Sequence, residues 1–521
     1  MKKNKKLLML LSMILAFALI VVGCGKTTTT DNSDPDQPKD TGSVKDTLVV
    51  AQGADAKTLD PHGSNDNTSS RVIKQINDTL VVQDENMELQ PGLAESWEKI
   101  DDLTFEFKLK QGVKFHNGEE FKASDVKFTL LRALESPHVG HIVGAINKDG
   151  IEIVDDYTIR IATTEPFAPL LSHLAHTGSS ILNEKAVTDA GDDYGQKPVG
   201  TGPFKFENWV NGDEINLVKF EEYHGEKAKV AKVKFRNISE ATNRTINLET
   251  GEVDIVYDVL PTDVKRVEED KNLVLMRQEN LSTTYIGFNV QKKPFDDVRV
   301  RQAINHAVDV DSIIEAVMQG VGEQANGPLG PNVWASNQKL VPYEYNVEKA
   351  KELMKEAGLE NGFKTSIWTN DNKSRMDIAE IVQNQLKAIN IEAEVKVVEW
   401  GAYLDGTAKG EHDMFILGWV TVTGDPDYGL YPLFHSSQFG DAGNRTFYGN
   451  TKVDELLDKA RKSADQAERE KAYLEVQEVV RDDAPWIFLN NGENVDGLRS
   501  NVKGFVQHPA GHHRLGSVYF E

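Results

Sequence analysis

Ser-x-x-Lys occurs four times in this 521-residue chain, at Ser96/Lys99, Ser124/Lys127, Ser336/Lys339 and Ser500/Lys503. A serine activated by such a lysine works with a companion Ser-Asp-Asn or Lys-Thr-Gly segment, and neither is present. HExxH, GxSxG and the phosphate-cradling GxxxxGK[ST] loop are also missing, so zinc hydrolysis, α/β-hydrolase chemistry and nucleotide hydrolysis lack their usual residues. Ser124 reads instead as the N-cap of a helix beginning at Asp125. His508, His512 and His513 cluster near the C-terminus, but Pro509 and Gly511 break any helix that would align them as metal ligands. The pattern favours binding over catalysis, with no cofactor and no resident metal.

Two tryptophans are the best contact candidates. Trp400 follows a strand ending near Val398, and Trp419 follows the apolar run Met414-Phe415-Ile416-Leu417. Strand ends are where α/β sheets bind ligands. Gly424-Asp425-Pro426-Asp427-Tyr428 lies just downstream with two acids and an aromatic ring, and Arg375 offers a forked guanidinium suited to a carboxylate.

The elements that must hold these residues alternate in type. Phe105, Phe107 and Leu109 alternate with Thr104, Glu106 and Lys108, and Ile391, Ala393, Val395 and Val397 alternate with Glu392, Glu394 and Lys396, so both segments are strands. Ala350, Leu353, Met354 and Ala357 recur at helical spacing between an Asn346 N-cap and Gly358. Asp311 and Gly320 bracket a second helix, and 376–389 a third. The fold class is α/β.

Charge and the N-terminus set the compartment. Lys plus Arg number 58 against 82 Asp plus Glu, a formal charge of -24, which argues against a nucleic-acid surface. Lys2, Lys3, Lys5 and Lys6 precede an apolar run from Leu7 to Val22 that is short for a membrane span and long enough for a secretion signal. The only cysteine, Cys24, follows Val21-Val22-Gly23, which resembles a bacterial lipobox: cleavage before Cys24 and lipidation of its thiol would tether the chain outside the membrane. Loss of the leader removes four lysines and no acid, leaving -28. The polar stretch from Lys26 to about Asp46 reads as a solvated linker.

Three longer segments carry a family resemblance. They are Pro91 to Trp97 running on through Gly112 to Gly118 and Ala123 to Val126; Pro198-Val199-Gly200-Thr201-Gly202-Pro203-Phe204; and Tyr285 to Val290 with Pro294 to Ala303. In order and spacing the chain resembles family 5 extracellular solute-binding proteins, the dipeptide- and oligopeptide-binding components of bacterial ABC importers. The resemblance runs from about Leu48 to the C-terminus. Gly200 and Gly202 beside Pro203 suit a crossing between lobes with unusual φ values, and Trp97 and Phe115 read as core.

The resemblance implies a two-lobed, hinged, type II periplasmic-binding-protein-like fold, a monomer, and no enzyme activity. Its division would be a signal peptide over 1–23; the lipidated cysteine and linker over 24–46; a first lobe over 47–81, 196–288 and 486–521; an extra subdomain over 82–195; and a second lobe over 289–485. It implies a peptide ligand, permease subunits with a separate ATPase as partners, and pocket roles for Trp400 and Trp419. Arg375 would take the ligand carboxylate, and Thr58 to His62, with Tyr428, would belong to the cleft. In peptide-binding relatives an aspartate three residues after the second tryptophan takes the ligand amine; here that position is Val422. Asp425 is the expected replacement, and the run Trp419 to Tyr431, which looks like that of App-type proteins, tilts the expectation towards oligopeptides. A nickel or metallophore complex, haem or another small solute is the alternative cargo.

Overall fold

The computed structural model describes residues 45–521. The leader, Cys24 and nearly all of the linker lie outside the described residues. Among the described residues no helix is long and apolar enough to cross a membrane.

One sheet of eleven strands runs through the molecule. At one end Glu392–Val397, Lys364–Thr369 and Met414–Val420 are parallel. At the other, Thr47–Gln52 is parallel to both Lys232–Asn237 and Ile255–Val256. Parallel neighbours need crossover connections, and the helices Lys373–Leu386, Trp400–Ala408 and Ala241–Thr250 supply them. Each end has its own core: Leu48, Val50, Phe204, Val233 and Phe235 in one, and Phe288, Ile304, Ile367, Val382 and Ile416 in the other. The expected two-lobed α/β architecture is thus present.

Two long antiparallel strands, Leu273–Phe288 and Trp486–Arg499, pass from one lobe into the other. Leu273 to Glu279 pair with Arg499 to Glu493, and pairing resumes at Thr283 opposite Asn491. Three residues, Asn280 to Ser282, therefore face Gly492 alone, a bulge that bends and twists the ribbon between the lobes. A Cβ on Gly492 would lie 2.5 Å from Ser282 Oγ, so any larger residue there would have to displace that hydroxyl.

A separate four-stranded antiparallel sheet, Ala94–Lys99, Thr104–Leu109, Thr158–Thr163 and Ile146–Asp155, packs its buried face on Phe115, Phe121, Val126 and Leu130. The helix Val347–Glu356 has the expected Asn346 cap and a left-handed Gly358.

Four expectations change in detail. The helix containing Ser124 begins at Ala123, because the Asp125 carboxylate accepts the Lys122 N–H at 2.9 Å and closes the first turn itself. The helix bracketed by Asp311 and Gly320 is capped by Asp309 and widens into a π turn over Ile314–Met318. The helix expected over 376–389 starts at Lys373, capped by Asn372. Gly200 and Gly202 do not have left-handed φ. They are small because the chain runs hard against another backbone: a Cβ on Gly200 would sit 2.1 Å from Ile76 O, and Gly202 N–H donates to that same carbonyl at 2.8 Å.

Gly200→Ala is therefore expected to destabilise the protein by about 1–3 kcal/mol, the usual cost of overpacking a rigid contact. Urea denaturation of the two proteins measures it; an unchanged midpoint would contradict the packing described.

Candidate functional site

Between the lobes lies a cavity of ≈ 410 Å³, within the range of small-ligand pockets. Its floor is the bulge: Asn280, Ser282, Gly492 and Asn494 all line it. Asn280 Nδ2 donates to Asn494 Oδ1 at 3.2 Å, and Glu493 is clamped by two hydrogen bonds from Arg277, at 2.7 and 2.8 Å. On the first-lobe side the wall includes Gly53 and Ala54, which follow the strand Thr47–Gln52, and Asn65, Asp66 and Arg71. On the other side it includes Arg375, Trp400, Trp419, Val422, Tyr428 and Arg445.

Local sequence explains how the second wall is held. Glu399 caps the helix Trp400–Ala408, so Trp400 opens a helix and does not lie in a loop. Trp419 is the penultimate residue of the strand Met414–Val420, and its Nε1 donates to the Tyr428 carbonyl at 2.9 Å. Arg375 lies in the first turn of Lys373–Leu386, donates to Asn370 Oδ1 at 3.1 Å and is stacked over Trp400, 5.6 Å from the ring centre. Burial lowers its pKa from the usual arginine value, with Tyr403 and Tyr285 nearby opposing the shift.

Of the residues singled out from sequence, Arg375, Trp400, Trp419 and Tyr428 come together around this cavity. Asp425, Thr58 and His62 are not part of its lining. Asp425 is already occupied: Arg469 Nη2 donates to both carboxylate oxygens at 2.7 and 2.8 Å, and the same carboxylate accepts the Asp427 N–H as the cap of Pro426–Phe434. This corrects the expectation of an amine partner, since the carboxylate already has its counter-charge and turning it to a ligand ammonium would leave the buried Arg469 uncompensated. Thr58 to His62 turn away to meet the subdomain. Asp60 pairs with Arg132 at 2.5 Å, His62 Nδ1 lies 2.8 Å from the same guanidinium, and Leu59 N–H donates to Gly195 O. Burial, the largest effect, holds the His62 pKa down at about 4.

Sequence reasoning did not find Arg71, Arg244, Arg445, Asp258 or Asn65. Arg71 forks onto Asp258 at 2.8 and 3.1 Å across 187 residues of chain. Arg445 sits in an irregular segment with no periodicity to mark it; its only local signal is the pair Gly440 and Gly443 before it, both of positive φ.

Direct bonds close the rim. Tyr428 Oη donates to Asn65 Oδ1 at 3.1 Å and lies 2.9 Å from His176 Nε2; Gln83 Nε2 donates to Thr423 O at 2.6 Å; Lys57 pairs with Asp405 at 2.7 Å and Lys462 with Glu165 at 2.8 Å. His173 Nε2 and Arg461 Nε approach the buried Asp427 carboxylate at 3.3 and 3.0 Å. The His508, His512 and His513 side chains are engaged separately, His512 with Asn67 and His513 with Asp496. Among the described residues no three His, Cys, Asp or Glu side chains are grouped to hold a metal ion.

The cavity between two lobes joined by a pair of strands defines a ligand-capturing protein of the two-lobed binding-protein class. Residues 88–441 match the model for bacterial extracellular solute-binding proteins, family 5 (Middle), and the chain belongs to that family. It is a solute-binding protein and not an enzyme. It is similar to the glutathione-binding protein GsiB of Pectobacterium atrosepticum, 34% identical over 88% of this chain and 91% of the relative. It is 33% identical to heme-binding protein A of Haemophilus influenzae, over 96% of this chain and 97% of that one. Among solved structures it resembles the ABC transporter-associated periplasmic binding protein DppA from Helicobacter pylori in complex with the peptide STSA, with a TM-score of 0.87, 36% identity, and coverage of 92% of this chain and 98% of that chain.

The rim has a pH signature. Burial, reinforced by His173 and Arg461, holds the His141 pKa down at about 3, and burial also holds His176 far below its ordinary 6.5; both rings pack against Tyr428. Groups depressed by burial favour the closed, folded form fully above pH 6.5, and that contribution is lost as the pH falls towards 3. The melting temperature should fall between pH 7 and pH 5, and His141→Phe should shrink that fall. Equal pH dependence in both proteins would refute the assignment.

Proposed function

We propose that this chain is the lipid-anchored receptor of an ABC importer, holding a peptide in the interlobe cavity and presenting the closed form to permease subunits. The observation that carries this reading is the wall formed by Arg375, Trp400 and Trp419 above the asparagine-rich bulge of the cavity floor. Arg375 is a forked cation for a carboxylate, and the indoles offer rigid faces for side chains. Polar atoms of cavity residues, Trp400 Nε1 and Asn490 Oδ1 among them, are buried without a partner among the described residues, as groups awaiting a ligand backbone would be. A tetrapeptide on the H. pylori relative and glutathione in the name of the P. atrosepticum relative support the peptide class. Ligand bridging both walls stabilises closure, with the strand pair at Asn280–Ser282 and Gly492 as the hinge.

Residues 25–521, purified and sprayed under native conditions, are expected to carry co-purified masses that fragment into peptide sequences. Trp400→Ala and Arg375→Gln should each weaken peptide binding about tenfold or more, or about 1.4 kcal/mol, by titration calorimetry. Bound mass that is haem or a metal complex would replace the peptide reading.

The anchor is tested separately. Full-length protein should partition with membranes and Cys24→Ala should be released to the medium; equal partitioning would remove the lipid tether.

A further inference from the structure

The charged groups around the cavity are unequally satisfied. Three acids line it: Asp258 is forked by Arg71 and Glu493 by Arg277, while Asp66 bonds only neutral donors, Ser64 Oγ at 2.6 Å and Ser69 N–H at 3.0 Å. Five cations line it, and two are paired, Arg71 with Asp258 and Lys373 with Asp377. Arg244, Arg375 and Arg445 have no carboxylate within ion-pair distance among the described residues.

Their surroundings are polar but neutral. Arg445, 8% exposed, donates to Thr407 Oγ1 at 3.1 Å and Gly440 O at 3.2 Å. Arg244, 4% exposed, donates to the carbonyls of Ile238, Ser239 and Asp258, and its Nε has no partner among the described residues. The wall beside Trp419 and Tyr428 includes Val422, which carries no charge. A buried arginine without a counter-charge is costly; Arg244 and Arg445 are buried and Arg375 half-buried, so the cavity carries an excess of positive charge that an anionic ligand would offset.

We infer that the cavity selects peptides bearing at least one acid group beyond the C-terminal carboxylate, with Arg375 as one anion site and Arg445 as the residue that reads the second. This rests on the peptide reading above and narrows it. A peptide with neutral side chains brings one carboxylate and one ammonium: Asp66 is the one lining acid without a cation, and a single carboxylate leaves two of the three arginines unmatched. An added side-chain carboxylate corrects the imbalance. The helix Trp400–Ala408 spaces the two sites: Arg375 stacks on Trp400 at its start, and Arg445 is tied to Thr407 seven residues on, about 10 Å along the axis. That separation is spanned by about three extended residues, so the acids belong on different residues of a short peptide. Around this cavity the rest of the protein is strongly negative, with a formal charge of -24, so the arginines form a local exception.

The test is calorimetric titration of residues 25–521 with Glu-Ala-Ala, Ala-Glu-Ala, their glutamine counterparts, Lys-Ala-Ala and Ala-Ala-Ala. A glutamate peptide is expected to bind at least tenfold tighter than its glutamine counterpart, with Lys-Ala-Ala weakest. Arg445→Gln should cut that glutamate preference at least tenfold, and Arg445→Lys should retain part of it, both variants having the melting temperature of the parent within a few degrees. Equal affinity for glutamate and glutamine peptides, or a preference untouched by Arg445→Gln, overturns the inference. Should no peptide bind, the peptide reading falls by itself. Succinate and tricarballylate then decide the anion site: saturable binding lost in Arg445→Gln upholds it, and no binding overturns it.

Discussion

Both lobes hang on a single ribbon of two strands, and the mismatch in that ribbon governs what the protein can do. With three residues opposite one, the backbone groups of Asn280 to Ser282 cannot all enter the ladder, and side chains take over: Asn280 Oδ1 accepts the Ser282 N–H at 2.9 Å, and Thr283 Oγ1 donates to Asn491 Oδ1 at 3.1 Å. The ribbon is thereby kept polar and compliant at one level while remaining regular on either side. Because the bulge is also the cavity floor, anything that fills the cavity touches the part of the chain most able to bend.

Charge is handled differently on the two sides of that floor. Asp425 is buried and matched by Arg469, 44 residues on, which removes the penalty of its burial, while the more exposed Asp258 is matched by Arg71 across 187 residues; each pair fixes the packing of the elements that carry it. The rim pairs Lys57–Asp405 and Lys462–Glu165 are partly exposed and contribute little each. Alignment of the lobes therefore comes from many weak bonds, and rigidity within each lobe from a few strong ones.

Periodicity exposed the strands Thr104–Leu109 and Glu392–Val397 and the helix Val347–Glu356 because their faces are separately buried and solvated. Caps were less readable: Ser124 and Asp311 are good capping residues, but Asp125 and Asp309 have the geometry. Arg375, Trp400, Trp419 and Tyr428 could be proposed because an aromatic or a guanidinium near a strand end has a short list of uses. Asp425 failed for a reason local reading cannot supply, since its partner Arg469 lies 44 residues on. Arg71 and Asp258 are 187 residues apart, and Arg445 occupies a segment with no regular structure, so nothing in the neighbouring residues ties them to one cavity. Thr58 and His62 were placed by their nearness to the first strand, whereas the chain turns away to pack on Arg132 and Gly195 before returning at Asn65.

The contact of the second lobe with the small sheet is apolar as well as polar. Val422 and Tyr428 belong to the same buried cluster as Phe107, Phe115 and Phe121, with Trp419 and Val420 packed against it. Any opening that parts these surfaces hydrates hydrocarbon and aromatic rings, and capture of a ligand dries them again. The heat capacity of binding is then set in part by protein surface that never touches the ligand, and it carries a negative contribution even for a wholly polar cargo.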